Sequence, residues 1–228
     1  VSGADASTTG GLAGTGAPVV VIGPMGAGKS SVGKRVAKAL GVPFTDTDRV
    51  IAREHGPIPG IFADRGEPAF RALEAEAVRA AVATGGVVSV GGGAVTHPDT
   101  RAALRGARVV LLTVSPEAVA ARIAGTDRPL LAQGGIDAWQ TIADERAATY
   151  AELAHATFDT SRRPMSHVVR DVVAWVTEQQ TGSGEERTGS GEERTGSAEE
   201  RTDSAEERTD SAEEHIGSDQ EHTTGGTP

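Results

Sequence analysis

Residues 19–33 read VVVIGPMGAGKSSVG, and no other stretch of the chain restricts the fold as tightly. The β-branched run Val19–Ile22 is short, continuous and apolar, as in a strand buried on both faces. The next eight residues, Gly23-Pro24-Met25-Gly26-Ala27-Gly28-Lys29-Ser30, fit G-x-x-x-x-G-K-[ST] throughout. From Ser30 to Leu40, Val32, Val36, Ala39 and Leu40 recur at helical spacing, and Gly41 stops the run. A strand, a glycine loop and a helix in this order aim consecutive main-chain N–H groups at phosphate oxygens, with the positive end of the helix dipole behind them. Lys29 adds a mobile positive charge for the β and γ phosphates, and Ser30 a hydroxyl for Mg²⁺.

The body repeats the alternation. Apolar runs at 42–45, 87–90, 109–114 and 157–159 read as further strands. Helical spacing spans 70–82, 98–104, 137–153 and 168–176. Ser115-Pro116-Glu117 opens another helix with a capping Ser and a first-turn Pro. This pattern predicts an α/β fold, three layers deep, around a five-stranded parallel sheet. Ligands of such sheets gather beyond the carboxyl ends of the strands.

Composition sets the domain limits. Residues 1–17 are mostly Ser, Thr, Gly and Ala with no basic residue, so they lack the start of a secretion signal and read as a disordered arm. From Thr181 the chain repeats TGSGEER-like units of seven. A coiled coil needs two apolar positions per unit, yet Ile216 is the only large apolar residue in six units. Residues 181–228 therefore read as a disordered acidic tail, and 18–180 as the domain. The net charge of −10 sits wholly in that tail, where 14 acids face 4 arginines; the body carries 18 of each sign. A neutral body gives no electrostatic case for nucleic acid. No apolar run approaches the roughly 20 residues of a membrane span. The absence of cysteine fits a reducing, cytoplasmic setting.

The second half of a phosphoryl-transfer site must come from other strand ends. The run 87–90 leads into Gly91-Gly92-Gly93 without a carboxylate, which turns attention to Phe44-Thr45-Asp46-Thr47-Asp48. In a strand, positions i and i+2 share a face, so Asp46 and Asp48 are expected to point together into the crevice. One would hold Mg²⁺ through water, with Asp46 the candidate, while the other accepts a hydroxyl proton. The plain alternative is a turn, where Asp is common. Residues 124–135, AGTDRPLLAQGG, form a long connection with one central Arg, as in an active-site lid.

These pieces resemble the shikimate kinase family, small cytosolic relatives of the nucleoside monophosphate kinases. The resemblance covers about Pro18 to Val176. It is carried, in order, by GPMGAGKSSVG, FTDTD, IFADRGEPAFRALE, VVSVGGGAV, DRPLL and DERAATYAELA. It implies a P-loop kinase fold with a lid, acting as a cytoplasmic monomer on ATP and shikimate with Mg²⁺. The implied reaction moves the γ-phosphoryl group to the 3-hydroxyl of shikimate, on the route to chorismate and the aromatic amino acids. By the same resemblance Lys29, Asp48 and Arg128 are catalytic. Arg122, Arg128 and Arg163 join Gly26, Ala27, Gly28, Lys29, Ser30 and Ser31 around ATP. Asp48, Phe62, Phe70, Arg71, Gly91, Gly92, Gly93 and Arg146 receive shikimate, and Ser30 and Asp46 face the metal, Asp46 through water.

Arginine suits the two acceptor-side positions because its planar fork binds a carboxylate through parallel hydrogen bonds. The bland readings are an Arg71–Glu74 pair at i, i+3 and Arg146 on a solvated helix face. Pro57-Ile58-Pro59 replaces the family's Ser- or Thr-capped helix opening, so an altered start is expected ahead of Phe62. His155, where the family often carries Asp, reads as a packed or surface residue. Two other functions stay open: a kinase for a different carboxylated polyol such as gluconate, and a nucleotide-sensing protein without turnover.

Overall fold

The computed structural model describes residues 16–123 and 135–185. Residues 1–15 of the arm expected at 1–17, residues 124–134 of the lid expected at 124–135, with Arg128, and residues 186–228 of the repeat tail lie outside the described residues.

Five strands form one sheet: β1 (Val19–Ile22), β2 (Phe44–Asp46), β3 (Val87–Ser89), β4 (Arg108–Thr113) and β5 (Ala156–Asp159). Their order is β2-β3-β1-β4-β5 and every pairing is parallel. Seven α-helices connect or flank them in the described residues: α1 (Lys29–Leu40), α2 (Thr47–His55), α3 (Ile58–Thr84), α4 (Pro98–Ala103), α5 (Pro116–Ile123), α6 (Gly135–Leu153) and α7 (Met165–Glu185). The α/β architecture expected from the alternation is present.

The sheet's central strand explains its own sequence. Val19 and Val21 pack with Val32 and Val36 of α1 and Val168, Val172 and Val176 of α7. Val20 and Ile22 face the opposite core, with Val78 of α3, Leu104 and Tyr150 of α6. Both faces are covered, so no polar residue interrupts the run. Each such fully buried side chain contributes roughly 1.5–3 kcal/mol.

Local chemistry redraws several boundaries. The stretch expected as a strand at 42–45 pairs only over Phe44–Asp46, and the strand-face argument for the two aspartates does not hold. Asp46 ends β2 and caps α2, its Oδ1 accepting from the Arg49 N–H at 3.2 Å. Aspartate is among the strongest helix N-caps, so the chain turns helical immediately and Asp48 falls in the first turn, where a negative charge suits the dipole. Helix α2 itself was not expected, because between Val50–Ile51 and its end it carries exposed Arg53, Glu54 and His55.

The expected helix at 70–82 is the second half of α3, which is broken at Gly66 (φ 76°, ψ 170°). Its first half opens on Pro57 without any side-chain cap. Proline's fixed φ substitutes for one: Pro57 sits at −56°, and its carbonyl accepts from the Gly60 and Ile61 N–H groups at 2.9 and 3.2 Å. The altered start therefore still delivers Phe62, whose ring lies 4.5 Å from that of Phe70. The last helix is longer than its 168–176 expectation and carries the first five repeat residues, Thr181–Glu185, as helix.

Candidate active site

Strands β1 and β3 are neighbours, but the helices that follow them pack on opposite faces of the sheet. Such a switch point opens a crevice at the strands' carboxyl ends. Three segments border it: the loop Gly23–Gly28, the start of α2, and Gly91-Gly92-Gly93.

On the donor side, the loop is held by its carbonyls. Lys29 Nζ donates to Gly23 O (2.9 Å) and Pro24 O (3.0 Å). Trp139 Nε1 donates to Met25 O at 2.9 Å, Arg122 Nη1 to Gly26 O at 2.8 Å, and the Thr160 hydroxyl to Ala27 O at 3.1 Å. Every carbonyl from Gly23 to Gly26 thus accepts from a side chain, and Ala27 O shares the Thr160 hydroxyl with Thr113 O at 2.9 Å. In trans peptides the following N–H groups then point the other way, as an anion cradle requires, except that of Ala27, which donates to Pro24 O at 3.3 Å. Gly28 takes a left-handed conformation (φ 85°) at the N-cap of α1, which has no side-chain cap, and Ser30 and Ser31 are exposed in its first turn. Arg122 also donates to the Thr160 carbonyl, joining α5 to the end of β5. Arg163 is exposed and donates to Asp171 Oδ2 at 2.5 Å. Two residues on, the Met165 methyl comes within 3.8 Å of the Cβ position of Gly28.

On the acceptor side, charges converge. Burial pushes the Lys29 ammonium down to about 8, while Asp48, Asp46 and Glu74 pull it back up and Arg146 presses it down. The three acids and Arg146 therefore all act on this lysine. Arg71 donates to Glu74 Oε2 at 2.7 Å and to Glu67 Oε1 at 2.9 Å, with its guanidinium carbon 5.3 Å from the Phe70 ring centroid and 6.0 Å from that of Phe62. Burial raises the Asp48 carboxyl above the usual range, and Lys29 opposes the rise. Burial likewise raises Glu74, only 1% exposed, against the pull of Arg71. A Cβ on Gly91 would stand 2.1 Å from Glu74 Oε1 and 2.8 Å from Asp48 Oδ1; one on Gly93 would stand 2.3 Å from Arg71 Nη2. Only bare backbone fits between these charges. Gly92 approaches the phosphate loop itself, its Cβ position 3.4 Å from Met25 N.

Asp46, Asp48, Arg71, Arg146 and the three glycines are thus brought to Lys29, with Phe62 and Phe70 beneath Arg71. The Arg71–Glu74 pair expected as the bland alternative exists, and it lies inside the cluster. Sequence reasoning placed Glu74 only as a surface partner of Arg71 and gave Tyr150, Trp139 and Thr160 no place in the site. Two had a legible signal: Glu74 stands three residues after Arg71 and Tyr150 four after Arg146, each on the same helix face. The others act through main-chain carbonyls, which no side-chain pattern reveals. His155 is exposed and ties β4 to β5, its Nδ1 accepting from Val109 N at 3.0 Å and its own N–H donating to Val109 O at 2.8 Å.

The phosphate cradle and the paired arginines and acids call for a phosphorylated donor and an anionic, hydroxylated acceptor. Known proteins give this chemistry a family. The family model described as shikimate kinase matches residues 25–177. Shikimate kinase of Mycobacterium avium is 46% identical over 159 residues, spanning 68% of this chain and 90% of the relative. That of Streptomyces avermitilis is 43% identical over 158 residues, spanning 68% and 92%. Among solved structures, shikimate kinase from Acinetobacter baumannii in complex with shikimate superposes with a TM-score of 0.68 at 30% identity, covering 72% of this chain and 95% of that one. A gluconokinase from Sinorhizobium meliloti shares the fold at 23% identity and a TM-score of 0.52, over 74% of this chain and 96% of its own. With two thirds of its length matched by one family model and nine tenths of its relatives' length aligned, this chain belongs to the shikimate kinase family.

Proposed function

We propose that this protein transfers the γ-phosphoryl group of ATP to the 3-hydroxyl of shikimate, giving 3-phosphoshikimate and ADP. The observation that carries the reading is the convergence of Asp48, Glu74 and Arg146 on the half-buried Lys29, with Arg71 paired to Glu74. Two guanidinium groups suit the acceptor's carboxylate and two carboxylates suit its ring hydroxyls.

The loop from Gly26 to Ser31 binds the donor's phosphates, with Lys29 balancing charge on the β and γ groups. Arg122 and Arg163 flank the base, and Arg128, outside the described residues, closes over the phosphates as transfer builds charge. As the acceptor oxygen bonds to phosphorus and the bridge to ADP breaks, the hydroxyl proton passes to the Asp48 carboxylate. Gly91–Gly93 and the Phe62–Phe70 wall hold the ring so that this oxygen lies near the γ-phosphorus.

Among the described residues no cluster of three or more acids and histidines can hold a metal alone. A Mg²⁺ ion bound mainly by nucleotide oxygens and water needs only one or two hard protein oxygens. The Ser30 hydroxyl fits that role directly. The Asp46 carboxylate fits it through water, because its capping bond to the Arg49 N–H uses only Oδ1. When bound, the ion supplies electrophilic neutralisation of phosphate charge.

We further propose that turnover needs only the domain expected at residues 18–180, acting as a cytoplasmic monomer without nucleic acid or membrane partners. ATP as donor and a neutral body support this reading. No described helix is long and apolar enough to cross a membrane.

ADP release measured with shikimate, quinate and gluconate as acceptors tests the reading: only shikimate should give substantial turnover, and equal or better use of gluconate would refute it. Arg146→Ala should raise KM for shikimate about 10²-fold while changing KM for ATP little, because it removes a charged clamp and no donor contact. The pH profile should follow Lys29. Its ammonium is charged below about pH 8 and loses its proton above it, so kcat/KM for ATP should fall as pH rises through 8. At saturating ATP, kcat should persist to higher pH, since bound phosphates favour the charged form.

A further inference from the structure

The Tyr150 hydroxyl donates its single proton to the Gly92 carbonyl at 2.5 Å. The same oxygen keeps its lone pairs, and Arg146, four residues earlier on the same face of α6, stands beside it with its positive charge. Tyr150 is 3% exposed and packs in the core below the crevice, so the phenol cannot swing away. Among the described residues no carboxylate lies within ion-pair distance of Arg146. Arg71, by contrast, is held by Glu67 and Glu74. The two acceptor-side arginines are thus fixed by different means, one by acids and the other by a neutral phenol.

We infer that Tyr150 is a positioning residue that orients the Arg146 guanidinium toward the acceptor's carboxylate and, through the Gly92 carbonyl, locks that clamp to the phosphate loop. The inference rests on the shikimate reading above. A phenol adds no negative charge of its own beside the guanidinium, so Arg146 keeps more of its attraction for an incoming anion than it would next to a paired acid. An acid in the same place would orient the group and cancel its charge. Because Gly92 also approaches Met25 of the phosphate loop, the tie fixes the distance between the acceptor's carboxylate and the donor.

Tyr150→Phe tests this, since the phenyl ring fills the same buried space and removes only the hydroxyl. Shikimate and its methyl ester are compared as acceptors in wild type and variant, with ATP varied separately. The expected result is a rise of about tenfold in KM for shikimate, the scale of one lost hydrogen bond to a charged group. KM for ATP should be unchanged, the melting temperature should fall by only about 2–4 °C as one hydrogen bond is lost, and the preference for acid over ester should shrink in parallel. In an Arg146→Ala background the same substitution should add about twofold or less. Equal losses on acid and ester, or full additivity with Arg146→Ala, would overturn the inference and leave Tyr150 a packing residue. Absence of shikimate turnover in the wild type would instead count against the shikimate reading. Amide exchange then decides for Tyr150 independently: faster exchange over Ala94–Thr96 in Tyr150→Phe supports the tie to Gly92, and unchanged exchange overturns it.

Discussion

Lys29→Met leaves a folded protein whose phosphoryl transfer is lost by a factor of roughly 10³ or more, the scale of removing a preorganised charge from a water-excluded site. The lysine is the group on which the cluster converges: Asp46, Asp48 and Glu74 all favour its charged form, and Arg146 opposes it. Methionine matches its length and keeps the apolar stem, so packing is nearly preserved. Two losses follow. The donor's phosphates lose their mobile cation, and the carbonyls of Gly23 and Pro24 lose a hydrogen-bond donor. Single-turnover kinetics with excess enzyme, alongside a melting curve, separate the lost chemistry from any loss of fold. Ordinary turnover in this variant would end the assignment of Lys29 to the donor phosphates.

The second large effect is expected at Asp48. Asp48→Asn keeps the shape of the side chain and removes both its charge and its ability to take a proton, which should lower kcat by roughly 10²- to 10⁴-fold. The rate should fall more than shikimate binding, because an amide still offers an oxygen to the ring hydroxyls. Asp48 also shapes the acid limb of the wild-type profile. Burial raises its carboxyl above the ordinary range, so the base form should be lost at a higher pH than for a free aspartate. In log kcat against pH this limb should disappear in Asp48→Asn. A variant that keeps the limb and most of its rate would assign the proton to another group, and Glu74, buried beside Gly91, would be the first to examine.

The sequence made the sheet legible because its central strands are buried on both faces: Val19–Ile22 and Val109–Leu112 carry no polar interruption. The phosphate loop was legible for a different reason, since its spacing is set by backbone geometry and tolerates little change. Asp46 and Asp48 were found by an argument that the structure replaces. The strand ends at Asp46, two residues short of Asp48, yet a capping aspartate and a first-turn aspartate still meet the lysine. What remained hidden acts at long sequence separation. Thr160 reaches the loop across 133 positions and Trp139 across 114, through contacts to carbonyls that every residue possesses. Neither a periodicity nor a charge pattern encodes such partners. Tyr150 and Glu74 lay within one helical turn of residues already singled out, but an arginine's neighbours on a helix are usually no more than a surface pair.

The bond from Trp139 to Met25 has a practical consequence. One of the chain's two indoles is attached directly to the main chain that wraps the donor, while the other, Trp175 on α7, is half-buried against the core. Intrinsic fluorescence therefore supplies a label-free optical gauge of nucleotide arrival, with a silent internal reference: emission should change on adding ATP in the wild type and stay flat in Trp139→Phe.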